Sequence, residues 1–304
     1  MPERLRRHWP WLVLALLAVA PPLLGRYGTG LVTEILIMAI FALSLDLLIG
    51  FTGMISFGHA LFFGLGAYIV VILAVDTGIN PLWGIPIAVF ATALVGAVIG
   101  ALCTRAGGVS FLMLTMAFSQ LFYALAMHWR AVTGGSDGIG GFDAPTIGPW
   151  SFDRPEVVYW AVLPCFAASY AALARLVVSP LGQIFIGIRQ NPSRMRAIGY
   201  PVHLYRITSF TIASAFAAFA GALFAIFAGF ISADVLYWTR SGEALVMVVL
   251  GGVGTLTGPV LGAAIFLLAK NLVSSWTTHW LAAVGIAFVA SVLFRPRGLL
   301  GSRK

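Results

Sequence analysis

The sequence predicts an all-α, polytopic membrane protein of about ten transmembrane or half-transmembrane helices, and three observations predict it. Of its 304 residues, 60% are hydrophobic and 9% charged, against roughly 45–50% and about 25% in an average soluble domain. The apolar residues gather into runs close to the ~20 residues that cross a bilayer core. Basic residues fall in the breaks between runs, and no polar stretch is long enough to bury a core of its own. The net charge of +8 would suggest nucleic acid in a soluble chain; here it reports which loops stay cytoplasmic. Cys103 and Cys165 each lie inside an apolar run and read as small core residues, with no disulfide framework or metal site.

Arg4, Arg6 and Arg7 precede a run at 9–25. It has the look of a secretory signal, including Ala18-Val19-Ala20, but Pro21 would hinder cleavage and more spans follow, so it reads as an uncleaved first span. Four spans fill 31–128: Leu31 to Gly50; a charge-free stretch to Val75, either continuous or broken at Gly50, Gly53 and Gly58; Pro81 to Thr104; and Val109 to His128. The segment 129–156 carries Asp137, Asp143, Asp153 and Glu156 against Arg130 and Arg154, and belongs outside as the least basic long connection. A central span at 157–178 leads into a basic stretch at 179–206.

The region 207–294 supplies four more spans, one of them a half-helix, Ala244 to Leu250. It is inferred from Gly251-Gly252-Val253-Gly254 and Gly258-Pro259, because non-helical backbone at membrane depth must be buried in protein or face a cavity. A tail at 295–304 completes the chain. This parity puts both termini and the basic stretch on the cytoplasmic side, with thirteen of eighteen basic residues there or at its edge. The count also permits an inverted repeat of about 31–128 and 207–294 around the central span.

The basic stretch has its own grammar. Leu181, Ile184, Phe185 and Ile188 recur at i, i+3, i+4 and i+7, so its first part is a short amphipathic helix. Asn191 offers a cap oxygen, Pro192 suits the first helical position, and Gly199 with Pro201 ends a second, very short helix. Arg189, Arg194, Arg196 and Arg206 stand there without an acid. The bland reading is a solvated loop that orients the protein; the sharper one is a docking surface for a cytoplasmic motor subunit.

No catalytic constellation is present: no phosphate-binding loop ending in Lys-Ser/Thr, no His-Glu-x-x-His, no nucleophile elbow. The polar residues within spans are the remaining candidates, since an ionisable group there suggests a pathway or an interior pair. Asp46 either faces such a path or sits at a helix end in water. His59 reads as a hydrogen-bonded packing residue or a path residue. Gln120 pairs with a neighbouring helix or lines a route, and Glu243 sits where a half-helix N-terminus favours a carboxylate. Gly96, Gly100, Gly221 and Gly262 read as close helix contacts. The clusters Gly50, Gly53, Gly58 and Gly251, Gly252, Gly254 read as breaks whose unwound backbone lines a translocation route.

Four segments carry a resemblance. FTGMISFGHALFFGLGAY (51–68), FLMLTMAFSQLFYALAMHWRAVTGGSDGIGG (111–141), SPLGQIFIGIRQNPSRMRAIG (179–199) and SGEALVMVVLGGVGTLTGPVLGA (241–263) resemble the permease subunits of branched-chain amino acid ABC importers. The likeness is closest to the type with TGGSDG between its fifth and sixth spans; related permeases for urea and short amides share much of the pattern. The resemblance implies a bacterial inner-membrane subunit, with 129–156 periplasmic, that pairs with a second homologous permease. It also implies two cytoplasmic ATPases, which bind the ATP that this chain does not, and a periplasmic solute-binding protein. Arg189, Asn191, Pro192, Arg194, Arg196 and Gly199 match the ATPase-contacting segment. Asp46, Met54 and Gln183 depart from the pattern, where Asn, Gln and a basic residue are common. The rivals are an ion-driven transporter working alone and an intramembrane enzyme; the latter needs paired acids or a metal cluster at one depth.

Overall fold

The computed structural model describes residues 21–142, 145–147, 150–275, 282, 285 and 298–300. The protein is an all-α polytopic membrane protein. Among the described residues seven helices are long and apolar enough to cross a membrane. The expected spans at 9–25 and 276–294 lie essentially outside the described residues.

Helix α1 (Pro21–Asp46) breaks locally at Gly25, then runs on through one π-helical turn, Leu47–Thr52. After a non-helical stretch at 53–58, α2 spans His59–Thr77, so the apolar run up to Val75 is broken rather than continuous. Helices α3 (Pro81–Cys103) and α4 (Val109–His128) follow, then a short turn α5 (Arg130–Thr133) and the central span α6 (Pro155–Val178). The basic stretch forms α7 (Pro180–Gln190) and α8 (Pro192–Ala197). Then come α9 (Val202–Ala228), α10 (Trp238–Gly251) and α11 (Thr257–Ser274).

Two expected boundaries move. The span placed at 207 begins at Val202, because Pro201 sets the helix start and Arg206 is carried inside the first turns instead of marking their edge. The half-helix placed at Ala244 begins at Trp238, so Arg240 and Glu243 belong to it.

Helix α1 is apolar on all sides and is buried along nearly its whole length, as such a helix must be. It forms the core with α2 and α9. In the most apolar stretches of α3, α4 and α6 no more than 28% is buried, and large apolar side chains such as Trp83 and Phe90 turn outward, as on lipid-facing helices. Helix α9 lies mainly on α2 and α3 and also on α1, whereas α1 lies on α6, α10 and α11. Close crossings rest on small residues. A Cβ added at Gly221 of α9 would sit 1.8 Å from the Phe63 carbonyl oxygen of α2, and one at Gly262 of α11 would sit 1.8 Å from the Met247 carbonyl oxygen of α10.

At the end opposite the basic stretch, Gly134, Gly135 and Gly138 take positive φ. The resulting turn carries β1 (Ile139–Gly140), which pairs antiparallel with a short strand after α9, Phe230–Ile231. A second tiny hairpin, Thr146–Ile147 with Trp150–Ser151, lies nearby in sequence.

Candidate functional site

The site is built where three pieces of unwound or terminating helix meet. The first is the end of α1. Its π turn closes on Gly53, whose φ of 78° lets its N–H, and that of Met54, return to the Leu48 carbonyl. The backbone then runs non-helically until α2 begins, and the buried amides around that start find side-chain oxygens. Phe57 N–H donates to Thr115 Oγ1 (3.2 Å) and Ala60 N–H donates to Ser241 Oγ (2.8 Å). Those bonds meet the demand that a helix end at membrane depth places on its orphan donors.

The second piece is the break after α10. Gly252 and Gly254 have φ of 123° and 76°, and Leu256, at 54°, is the one non-glycine residue with positive φ among those described. Carbonyls at the end of α10 are capped from far along the chain: Leu299 N–H donates to Leu250 O and Leu300 N–H to Gly251 O, each at 3.0 Å. Residues 298–300 therefore return to the same end of the bundle as the basic stretch.

The third piece is α7. Ser179 caps it, accepting from Gly182 N–H, and Pro180 occupies its first turn. Phe185 and Ile188 are fully buried while Leu181 and Ile184 are partly so, which is the greasy side the spacing predicts. That side packs on the π turn of α1, on α6 and on α9. Asn191 Oδ1 accepts from Arg194 N–H at 2.9 Å, starting α8 on Pro192, and Gly199 takes φ of 94° after it, as expected. Arg194 and Arg196 remain exposed.

These pieces converge. Arg189, in the last turn of α7, donates through Nη1 to the carbonyl of Gly50 in the π turn. Gly50 in turn touches Gly254: a Cβ placed on Gly50 would come within 2.5 Å of Gly254 N and 2.4 Å of Asp46 Oδ1. Gly254 N–H donates to Asp46 Oδ1 at 2.7 Å. The two glycine clusters, about 200 residues apart in sequence, are thus one junction, with an arginine of the basic stretch at its edge.

The remaining candidates sort themselves by position. Asp46 is fully buried, so the reading that left it in water at a helix end is wrong; burial of α1 on all sides, not its proximity to the basic end, decides its environment. His59 is fully buried at the start of α2, with Nε2 2.7 Å from Ser44 Oγ and its ring stacked on Phe41. Gln120 is half-buried on α4 and makes no hydrogen bond to another helix among the described residues. Glu243 lies in the second turn of α10 rather than at its first amides. It is held by Arg240 (3.3 Å) and Lys270 of α11 (3.1 Å), which corrects the helix-terminus reading. No group of three or more metal-ligating side chains occurs among the described residues. Sequence reasoning missed the Thr52–Ser209 pair (2.6 Å) and Ser241, small hydroxyls inside apolar runs whose only signal was their depth.

The family described as "Branched-chain amino acid transport system / permease component" matches residues 29–293. The chain belongs to that family. It is 29% identical to the Escherichia coli K12 high-affinity branched-chain amino acid transport system permease protein LivM, over 94% of this chain and 73% of that one. It is 26% identical to the probable branched-chain amino acid transport permease protein LivM of Methanocaldococcus jannaschii, over 82% of each. The Escherichia coli K12 permease protein LivH is 24% identical over 86% of this chain and 91% of its own length. No solved structure matches. As a member of this permease family the chain is an ABC-transporter permease component, a multi-pass membrane protein and not an enzyme.

Proposed function

We propose that this chain is the translocating subunit of an importer for branched-chain amino acids in a bacterial inner membrane. It works by alternating access together with a second homologous permease, two cytoplasmic ATPases that bind the ATP, and a periplasmic solute-binding protein. Helices α7 and α8 receive the ATPase stroke. Arg194 and Arg196 face the motor, Asn191, Pro192 and Gly199 shape the turn that presents them, and Arg189 passes displacement inward. The solute crosses beside the glycine breaks at 50–58 and 251–254, with His59 and Gln120 on the flanking helices. The observation that carries this reading is the bond from Arg189 to Gly50 O at the point where both breaks touch. A coupling element has to bear on the part of the permease that can bend.

The test uses the four-component transporter in proteoliposomes, with uptake of labelled leucine and ATP hydrolysis read together. The pair Arg189→Glu and Arg194→Glu should leave membrane insertion intact, keep hydrolysis running, and abolish uptake. Wild-type uptake in that double variant refutes the coupling role. The chain alone in liposomes under an ion gradient should be inactive; gradient-driven uptake there would make it a secondary transporter.

A further inference from the structure

Among the described residues Asp46 is the only fully buried carboxylate. Burying such a group is costly unless hydrogen bonds compensate. Its Oδ1 accepts from the N–H of Gly254, 208 positions away, and the Leu256 amide and the Arg189 guanidinium also lie close enough to favour the carboxylate, while Oδ2 has no hydrogen-bond partner. The loop it grips is strained: Leu256, two residues on, has φ 54° and ψ −47° at the centre of a tight turn that Thr257 N–H closes on Thr255 O, a backbone conformation that a branched aliphatic side chain rarely adopts. Strained backbone persists only where its surroundings over-determine it. Asp46 also stands one turn before Gly50, whose missing side chain is what allows carboxylate and loop to meet.

We infer that Asp46 is a positioning residue that clasps the 252–256 loop to the π turn of α1, so that both breaks move as one body when Arg189 is displaced. This rests on the reading of α7 and α8 as receiver of the ATPase stroke. The clasp requires an acceptor oxygen at this position and does not require charge. Arg189 also lies beside Gly254, its Nη1 3.1 Å from where a Cβ on that glycine would sit, so arginine and carboxylate bear on the same pair of breaks.

The experiment compares wild type, Asp46→Asn and Asp46→Ala in the reconstituted transporter. Two readouts are taken: solute moved per ATP hydrolysed, and amide exchange in peptides covering 250–257. Asn retains an oxygen that can accept from Gly254, so D46N should match wild type within about twofold in both. Leaving the Gly254 N–H without an acceptor is worth roughly tenfold in an opening equilibrium. D46A should therefore speed exchange in that peptide by about tenfold and lower solute per ATP. Three results overturn the proposal: D46N behaving like D46A, D46A exchanging like wild type, or D46A loosening the loop with transport still coupled. Should D46A not assemble, wild type and D46N decide alone, since slow exchange and coupled transport in both are required. Arg189→Ala separates the two readings. Normal coupling in R189A defeats the motor reading, while the exchange contrast between wild type and D46A still measures the clasp.

Discussion

Adding one methyl group at Gly50 tests the junction most directly. In Gly50→Ala the new Cβ would lie 2.4 Å from Asp46 Oδ1, 2.5 Å from Gly254 N and 2.6 Å from Gly254 Cα, where comfortable carbon contacts are about 3.5–4.0 Å. Two of those atoms are backbone, so no rotamer change relieves the clash; the 252–256 loop has to move away by about 1 Å. Overpacking of this kind costs about 1–3 kcal/mol. If the displacement also breaks the bond from Gly254 to Asp46, a further ~1.5–3 kcal/mol is at risk. The two effects share atoms and do not add fully, so about 2–4 kcal/mol is expected. At roughly 2–4 °C per kcal/mol, that corresponds to a fall of about 4–16 °C in the unfolding midpoint of the purified complex in detergent. Gly30→Ala is the control: it lies in α1 with nothing within 4 Å of its added Cβ, and gains up to about 1 kcal/mol of helix propensity. Equal midpoints for the two variants, with normal uptake, would falsify the close approach of the two breaks.

Two other perturbations probe the frame around that junction. Gly221→Ala drives a methyl group into the Phe63 carbonyl at 1.8 Å; prising α9 from α2 should cost about 3 kcal/mol or more, seen as a loss of folded protein by size-exclusion chromatography, while unchanged yield and midpoint would show that these helices do not cross there. Glu243→Gln leaves Arg240 and Lys270 facing each other without their shared carboxylate, and with that carboxylate only 12% exposed the cost should be about 1–2 kcal/mol. Its check is the salt dependence of the midpoint: a shift that added salt narrows is expected, and one indifferent to salt would contradict an electrostatic origin.

Much of this architecture was legible because bilayers impose coarse rules. Run length and glycine punctuation mark where long helices run among the described residues. The i, i+3, i+4, i+7 spacing of Leu181, Ile184, Phe185 and Ile188 gave α7, and Asn191-Pro192 gave the start of α8. What stayed hidden was long-range. Nothing near Asp46 announces that its partner is Gly254, because a carboxylate near the end of an apolar run looks the same whether it meets water or a backbone amide. The ion pairs of Glu243 depend on Lys270 reaching across from α11, which no local pattern encodes. Boundaries drawn on charge err for a related reason: Arg206 reads as the end of a loop, whereas Pro201 sets where the helix begins.

The caps that Leu299 and Leu300 place on Leu250 and Gly251 carry a practical consequence for anyone handling this subunit. Leu299 and Leu300 act as a splint on the short helix that precedes the second break, so trimming the chain ahead of Leu299 strips two carbonyls of their donors in one cut.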